Sequence, residues 1–125
     1  CNHIEIGRIC GQDFAENDPA GLLRLLPEFA GQHRLQSVVV TLGPHGCVYW
    51  DAAIGQSGVQ PALKVRVVDT CGAGDAFFSG TVTGLARGET LAQAVRLGTR
   101  VAACTIQSAE NNCLALAQAL ENVAK

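Results

Sequence analysis

Apolar residues at helical spacing predict two helices in the first third of the chain. Residues 2–10 form the first, and Asn2 with Glu5 three positions later predicts a capping box at its start. Its apolar face would carry Ile6, Ile9 and Cys10.

A second helix is predicted to begin at Asp18 and Pro19, because proline suits the first helical position. Its apolar stripe is formed by Leu22, Leu25, Leu26 and Phe29.

Short β-branched and alternating runs follow, and they predict strands. Residues 37–41 are apolar on both faces, which is typical of a buried parallel strand. Residues 47–50 indicate a strand that returns after a glycine-containing turn. The Gly/Pro/Ala-rich residues 51–63 are interpreted as a surface connection, and residues 64–68 as a further strand.

The rest of the chain alternates back to helices. A glycine-rich turn at residues 69–75 leads into a helix from residue 76 to about residue 87, in which Phe77 and Phe78 are expected to be core. Another helix follows from Thr90 to about residue 105, and a closing helix is predicted at residues 114–123. This alternation of strands and helices predicts a three-layer α/β fold.

Composition narrows the class of protein. The 125 residues are 48% hydrophobic and 16% charged with a net charge of −2, which indicates a packed globular chain. The sequence has no Lys/Arg-rich run, so it does not indicate binding to nucleic acid or to an anionic membrane. No apolar stretch is long enough to span a bilayer. Six cysteines without a C-x-x-C pair favour buried free thiols, and we expect a cytoplasmic protein.

The glycine turn carries the candidate chemistry. The first amides of a helix lack internal partners and carry partial positive charge, so a turn containing Gly72 and Gly74 offers an anion site. A carboxylate at Asp75 would repel that anion, which makes sense if Asp75 accepts a proton from a second substrate. The plainer interpretation is that Asp75 is only a favourable first-turn acid.

Three ordered motifs resemble those of the ribokinase-like (PfkB) family of carbohydrate and nucleoside kinases. Residues 69–75, Asp-Thr-Cys-Gly-Ala-Gly-Asp, match all six defined positions of its C-terminal signature. Residues 41–46, Thr-Leu-Gly-Pro-His-Gly, resemble its nucleotide-binding turn, and residues 2–5, Asn-His-Ile-Glu, its Asn-x-x-Glu motif. The resemblance implies a ribokinase-like fold with a mainly parallel sheet flanked by helices.

The resemblance also implies a role for each matching residue in ATP-dependent phosphoryl transfer to a sugar or nucleoside hydroxyl. The catalytic set is the base Asp75 with the backbone amides of Gly72, Ala73 and Gly74. The nucleotide set is Thr41, Gly43, Gly46 and, beside adenine, Thr99. The metal set is Asn2 and Glu5 for Mg²⁺ through water, with Asp69 as a ligand of a monovalent cation such as K⁺. For Asn2, plain helix capping is an equally good interpretation.

The resemblance covers only the C-terminal, ATP-binding and catalytic part of such a kinase. The chain has no methionine, and we expect the acceptor-binding N-terminal part, through which a homodimer would form, to be absent from it. Residues 108–112, Ser-Ala-Glu-Asn-Asn, resemble pseudouridine kinases, while sugar acceptors fit the motifs equally well. The alternatives outside catalysis are a nucleotide-binding regulatory module and a structural protein with a chance glycine turn.

Overall fold

The computed structural model describes residues 1–65 and 70–107 of the chain. The chain divides into two units, Cys1–Ala62 and Leu63–Lys125. The elements described in the first unit are α1 (His3–Cys10), α2 (Pro19–Gln32), β1 (Ser37–Thr41), β2 (Cys47–Asp51) and β3 (Gln56–Gln60). Those described in the second are α3 (Ala73–Ala86) and α4 (Leu91–Gln107).

Local sequence signals mark the starts of the first two helices, as the sequence predicts. At the start of α1, Asn2 Oδ1 accepts a hydrogen bond from the Glu5 amide at 2.8 Å, and Glu5 Oε2 accepts one from the Asn2 amide at 2.8 Å. Pro19 opens α2, although the preceding Asp18 makes no side-chain cap bond. One prediction on α1 is wrong. Ile9 is 61% exposed, because the contact face of this short helix is centred on the fully buried Ile6.

The three described strands form a sheet in the order β1-β2-β3, with both neighbouring pairs antiparallel. β2 returns directly after the turn that follows β1, so it can pair with β1 only in the antiparallel direction. On the other side of β1, a single parallel bridge joins Asn2 to Thr41. The interpretation of residues 51–63 as a mere surface connection is wrong, because β3 lies within them and pairs with β2 from Gln56 to Gln60.

The core of the first unit lies between α2, α1 and one face of the sheet. Its buried members are Ile6, Leu22, Leu26, Phe29, Ala30, Val38, Val40, Leu42 and Val48. Cys47 is fully buried beside Val48 at the start of β2. The expectation of mostly buried thiols is wrong among the described cysteines, since Cys1 and Cys71 are exposed.

Burial raises the pKa of the Cys47 thiol from 9.0 to about 12, and a hydrogen bond with the backbone of Gln60 offsets part of that rise. The folded state therefore holds this proton at pH values where the unfolded chain has released it. We expect the free energy of unfolding to fall as pH rises from 9.0 towards about 12, and to be independent of this thiol below that window.

Urea unfolding at about pH 8 and about pH 10 tests this expectation on the wild type and on Cys47→Ala. The wild type should lose up to about 1.4 kcal/mol per pH unit more than the variant, since one pKa unit corresponds to that energy. The same pH dependence in both proteins would show that the thiol titrates alike in the folded and unfolded states.

The second unit is described as a pair of packed helices. α3 begins at Ala73, three residues before the predicted start, and Gly72 precedes it with φ of 80°. Thr90 caps α4 as predicted, with Thr90 Oγ1 accepting from the Gln93 amide and Gln93 Oε1 accepting from the Thr90 amide. In the strand predicted at residues 64–68, Lys64 and Val65 have no regular structure. The rest of that strand and the closing helix at residues 114–123 lie outside the described residues.

The two helices approach closely at glycines. A Cβ atom built on Gly80 would lie 2.8 Å from the Gly98 Cα, and one built on Gly98 would lie 2.6 Å from the Phe77 carbonyl oxygen. Phe77 is half-buried, whereas Phe78 is 69% exposed, so the expectation that both are core is wrong. Neighbouring helical residues point about 100° apart, and only one of the two can face α4.

Candidate functional site

The N-terminus of α3 presents unpaired backbone amides. The first helical hydrogen bond runs from the Ala76 amide to the Gly72 carbonyl at 2.9 Å, and the Ala73 amide donates to the Thr70 carbonyl at 3.2 Å. Within the described part of the chain, the amides of Gly74 and Asp75 have no acceptor. A Cβ atom on Gly74 would meet nothing within 4 Å, so the space on the side-chain side of Gly74 is open. This geometry suits an anion.

Asp75 lies in the first turn of α3, and its side chain is exposed. No described residue forms a hydrogen bond or ion pair with its carboxylate. An exposed carboxylate next to open amides can accept a proton from a hydroxyl group held beside an anion. The sequence motif named the amides of residues 72–74, but it did not single out the amide of Asp75 itself, which the structure leaves open.

In the first unit, residues 41–46 form a tight turn that needs glycine. The turn contains a 3-10 helix, Gly43–His45, and the Leu42 amide donates to the Gly46 carbonyl at 2.8 Å. Gly46 has φ of 94° and ψ of −133°, which side-chain-bearing residues avoid. A Cβ atom there would also lie 2.6 Å from the Ala62 amide nitrogen. The predicted nucleotide turn therefore has a fixed backbone conformation.

The Asn2 and Glu5 motif lies at the start of this turn. The Thr41 amide donates to the Cys1 carbonyl at 2.9 Å, next to the bridge between Asn2 and Thr41. Glu5 is exposed, and its Oε2 is held by the Asn2 amide at 2.8 Å, so its Oε1 is left for water or a cation. The structure thus brings together two motifs that are far apart in sequence, and it also shows the capping role of Asn2.

Glu16, which lies outside the sequence motifs, is placed against the turn at residues 41–46. A Cβ atom built on Gly43 would lie 2.8 Å from Glu16 Oε2, which places this carboxylate against the backbone of the turn. Glu16 belongs to the loop between α1 and α2, where the sequence carries no motif. Only the path of the loop brings it to Gly43, so sequence spacing could not have revealed it.

The roles of two further site residues, Thr99 and Asp69, stay predictions. The Thr99 hydroxyl donates to the Val95 carbonyl at 2.8 Å, and the residue is 7% exposed on α4, so its adenine contact stays a prediction. Asp69 and residues 108–112 lie outside the described residues.

Within residues 1–65 and 70–107, no group of three or more His, Cys, Asp or Glu side chains could hold a metal ion. In the same residues, no helix combines the length and apolarity needed to cross a membrane.

The sequence matches known proteins over much of its length. The profile described as pfkB family carbohydrate kinase matches residues 1–115. The chain is 48% identical over 71 residues to fructoselysine 6-kinase of Escherichia coli (strain K12), covering 57% of this chain and 26% of that protein. It is 44% identical over 73 residues to guanosine-inosine kinase of Exiguobacterium acetylicum, covering 58% and 24%. The matched part thus spans about a quarter of these relatives.

The fold matches a solved kinase structure. Phosphofructokinase-2 from Escherichia coli, in complex with substrates and products, superposes with a TM-score of 0.81 at 21% identity. The superposition covers 98% of this chain and 38% of that one. At this identity the likeness concerns the fold alone, and it confirms the predicted ribokinase-like α/β class.

Proposed function

Because this chain belongs to the pfkB family of carbohydrate kinases, we propose that the protein transfers the γ-phosphoryl group of ATP to a hydroxyl group of a sugar or nucleoside. The observation that carries the proposal is the start of α3. Two amides that have no acceptor among the described residues, and open space at the Cβ position of Gly74, lie there beside the exposed Asp75 carboxylate. An anion site next to a proton acceptor is the arrangement that phosphoryl transfer to a hydroxyl requires.

In the proposed reaction, the acceptor hydroxyl gives its proton to Asp75 while its oxygen forms a bond to the γ-phosphorus. The bond between that phosphorus and the β,γ-bridging oxygen breaks, and ADP leaves. The amides of Gly72, Ala73 and Gly74 are proposed to stabilise the charge on the transferring group, with the Ala73 amide exchanging its Thr70 acceptor for a phosphoryl oxygen. The structure supports Gly74 most directly, because its amide has no acceptor in the described part of the chain and the space at its Cβ position is open.

Most of the proposed nucleotide and Mg²⁺ contacts come from residues of the first unit. Thr41, Gly43 and Gly46 are proposed to contact the phosphates and ribose of the nucleotide, and Thr99 is proposed to contact its adenine. Mg²⁺ would be held by Glu5 and Asn2 through water, since this ion keeps most of its hydration shell and uses few carboxylates. The exposed Glu5 carboxylate fits that use, with one oxygen outside the capping box. Asp69 is proposed for a monovalent cation such as K⁺.

Acceptor candidates follow from the relatives. Fructoselysine 6-kinase indicates an amino-sugar derivative and guanosine-inosine kinase a purine nucleoside, so both acceptor classes belong in the first screen. Residues 108–112 add pseudouridine to the same screen.

The test is ADP release from Mg-ATP by the intact protein with fructoselysine, fructose, ribose, guanosine, inosine and pseudouridine. We expect one acceptor to raise the rate well above the rate without acceptor, and Mg-ATP alone to raise the melting temperature. A rise in melting temperature without turnover on any acceptor would favour the nucleotide-binding module. If Mg-ATP causes no rise in melting temperature and no acceptor is turned over, the proposal is wrong.

A further inference from the structure

The Glu16 carboxylate lies against the turn at residues 41–46, as the 2.8 Å from its Oε2 to a Cβ position on Gly43 shows. Glu16 is half-buried. No described residue donates a hydrogen bond or forms an ion pair with it. Its oxygens are also not among the buried polar atoms without a partner, so they are accessible to solvent. A carboxylate at this turn is thus open to a ligand that brings hydrogen-bond donors.

The chemistry of the carboxylate selects the part of a nucleotide that it can contact. A phosphate group has no donor at neutral pH and would be repelled by a second negative charge. A ribose presents two neighbouring hydroxyl groups, and an ionised carboxylate accepts hydrogen bonds on two oxygens. Hydrogen bonds to a charged acceptor are stronger than neutral ones, so a nucleotide that lacks one of these hydroxyl groups would bind more weakly.

We propose that Glu16 accepts hydrogen bonds from the ribose hydroxyls of the bound nucleotide and thereby selects ribonucleotides as phosphoryl donors. The inference rests on the proposed function, which assigns residues 41–46 to the nucleotide. Gly43 has no side chain, so the carboxylate reaches the backbone of the turn itself. A larger residue at position 43 would meet Glu16 instead, and its φ of 56° also favours glycine.

The experiment compares ATP with 2′-deoxy-ATP and 3′-deoxy-ATP as donors, with the acceptor saturating. The wild type should prefer ATP by about 10- to 100-fold in kcat/KM, the range for a hydrogen bond to a charged group. Glu16→Ala should reduce that preference to less than about threefold by raising KM for ATP with little change in kcat. Glu28→Ala is the matched control, because Glu28 lies on α2, away from the turn at residues 41–46 in sequence, and among the described residues it accepts from Gln32 alone.

Calorimetric titration with ADP and 2′-deoxy-ADP gives a second readout that is independent of turnover. The same loss of preference is expected in Glu16→Ala, and melting temperatures confirm that the variants fold. An unchanged ribose preference in Glu16→Ala overturns the inference while the proposed function stands. A change only in Mg²⁺ dependence, or only in the preference for adenine over guanine, overturns it as well. If the wild type neither binds nor uses any ATP analogue, the proposed function and this inference fail together.

Discussion

Asp75→Asn is expected to lower kcat by about 10²- to 10⁴-fold, the range for loss of a general base. Asparagine has nearly the same size and shape as aspartate, but its amide cannot take up the proton of the acceptor hydroxyl. The side chain is exposed and has no partner among the described residues, so the substitution should leave the fold intact. Affinity for Mg-ATP should stay the same or rise, because one negative charge beside the anion site is removed.

Asp18→Asn is the matched control for this variant. Asp18 also lies at the start of a helix, and its side chain makes no cap hydrogen bond, so the same chemical change there should leave kcat unaltered. Steady-state kinetics with saturating acceptor and titration of Mg-ATP separate the two effects. Equal kcat in Asp75→Asn and wild type would show that Asp75 does not act as the base. Unchanged kcat with weaker ATP binding would make Asp75 a nucleotide contact instead.

The helices were predictable because their signals are local. The reciprocal hydrogen bonds of Asn2 and Glu5 span three residues, and so do those of Thr90 and Gln93. Pro19 at the first position of α2 is a signal of the same kind. Such features depend on little beyond one helical turn, so the sequence alone contains them.

β3 was missed because its identity comes from pairing and not from its own residues. Gln56–Gln60 contains glycine and glutamine and little of the β-branched alternation that marks a strand. Its partner β2 aligns it, with Val48 opposite Val59 and Tyr49 opposite Gly58. A Cβ atom on Gly58 would overlap the Tyr49 ring, so the glycine makes room for that aromatic side chain.

Some features of the candidate site could likewise be predicted from the sequence, and others could not. Its motifs could be read from the sequence because each is a short stretch with a glycine or a carboxylate at a fixed position. The contact of Glu16 with Gly43 depends on the course of a loop and has no sequence signal. The close approach of Gly80 to Gly98 likewise becomes visible only when α3 and α4 are seen together.

Gly98→Leu is expected to destabilise the protein by about 3 kcal/mol or more, since extra carbon atoms must enter a closely packed contact between helices. The Thr81 hydroxyl is nearest to the Cβ position, and the next obstacle is the Phe77 carbonyl oxygen at 2.6 Å. It belongs to the backbone of α3 and cannot turn away as a side chain could. Relief therefore requires α3 itself to shift, and α3 carries Asp75 two residues before Phe77. We therefore expect kcat to fall together with the free energy of unfolding.

Gly98→Ala and Gly31→Ala decide whether packing or helix propensity dominates. Alanine is favoured over glycine inside a helix by about 1 kcal/mol, and a Cβ atom on Gly31 would meet nothing within 4 Å. Gly31→Ala should therefore raise the urea midpoint. At Gly98 the same gain opposes a packing cost of about 1–3 kcal/mol, so Gly98→Ala should lower the midpoint. If Gly98→Ala were as stabilising as Gly31→Ala, α3 would be free to move, and its contact with α4 could not fix the position of Asp75.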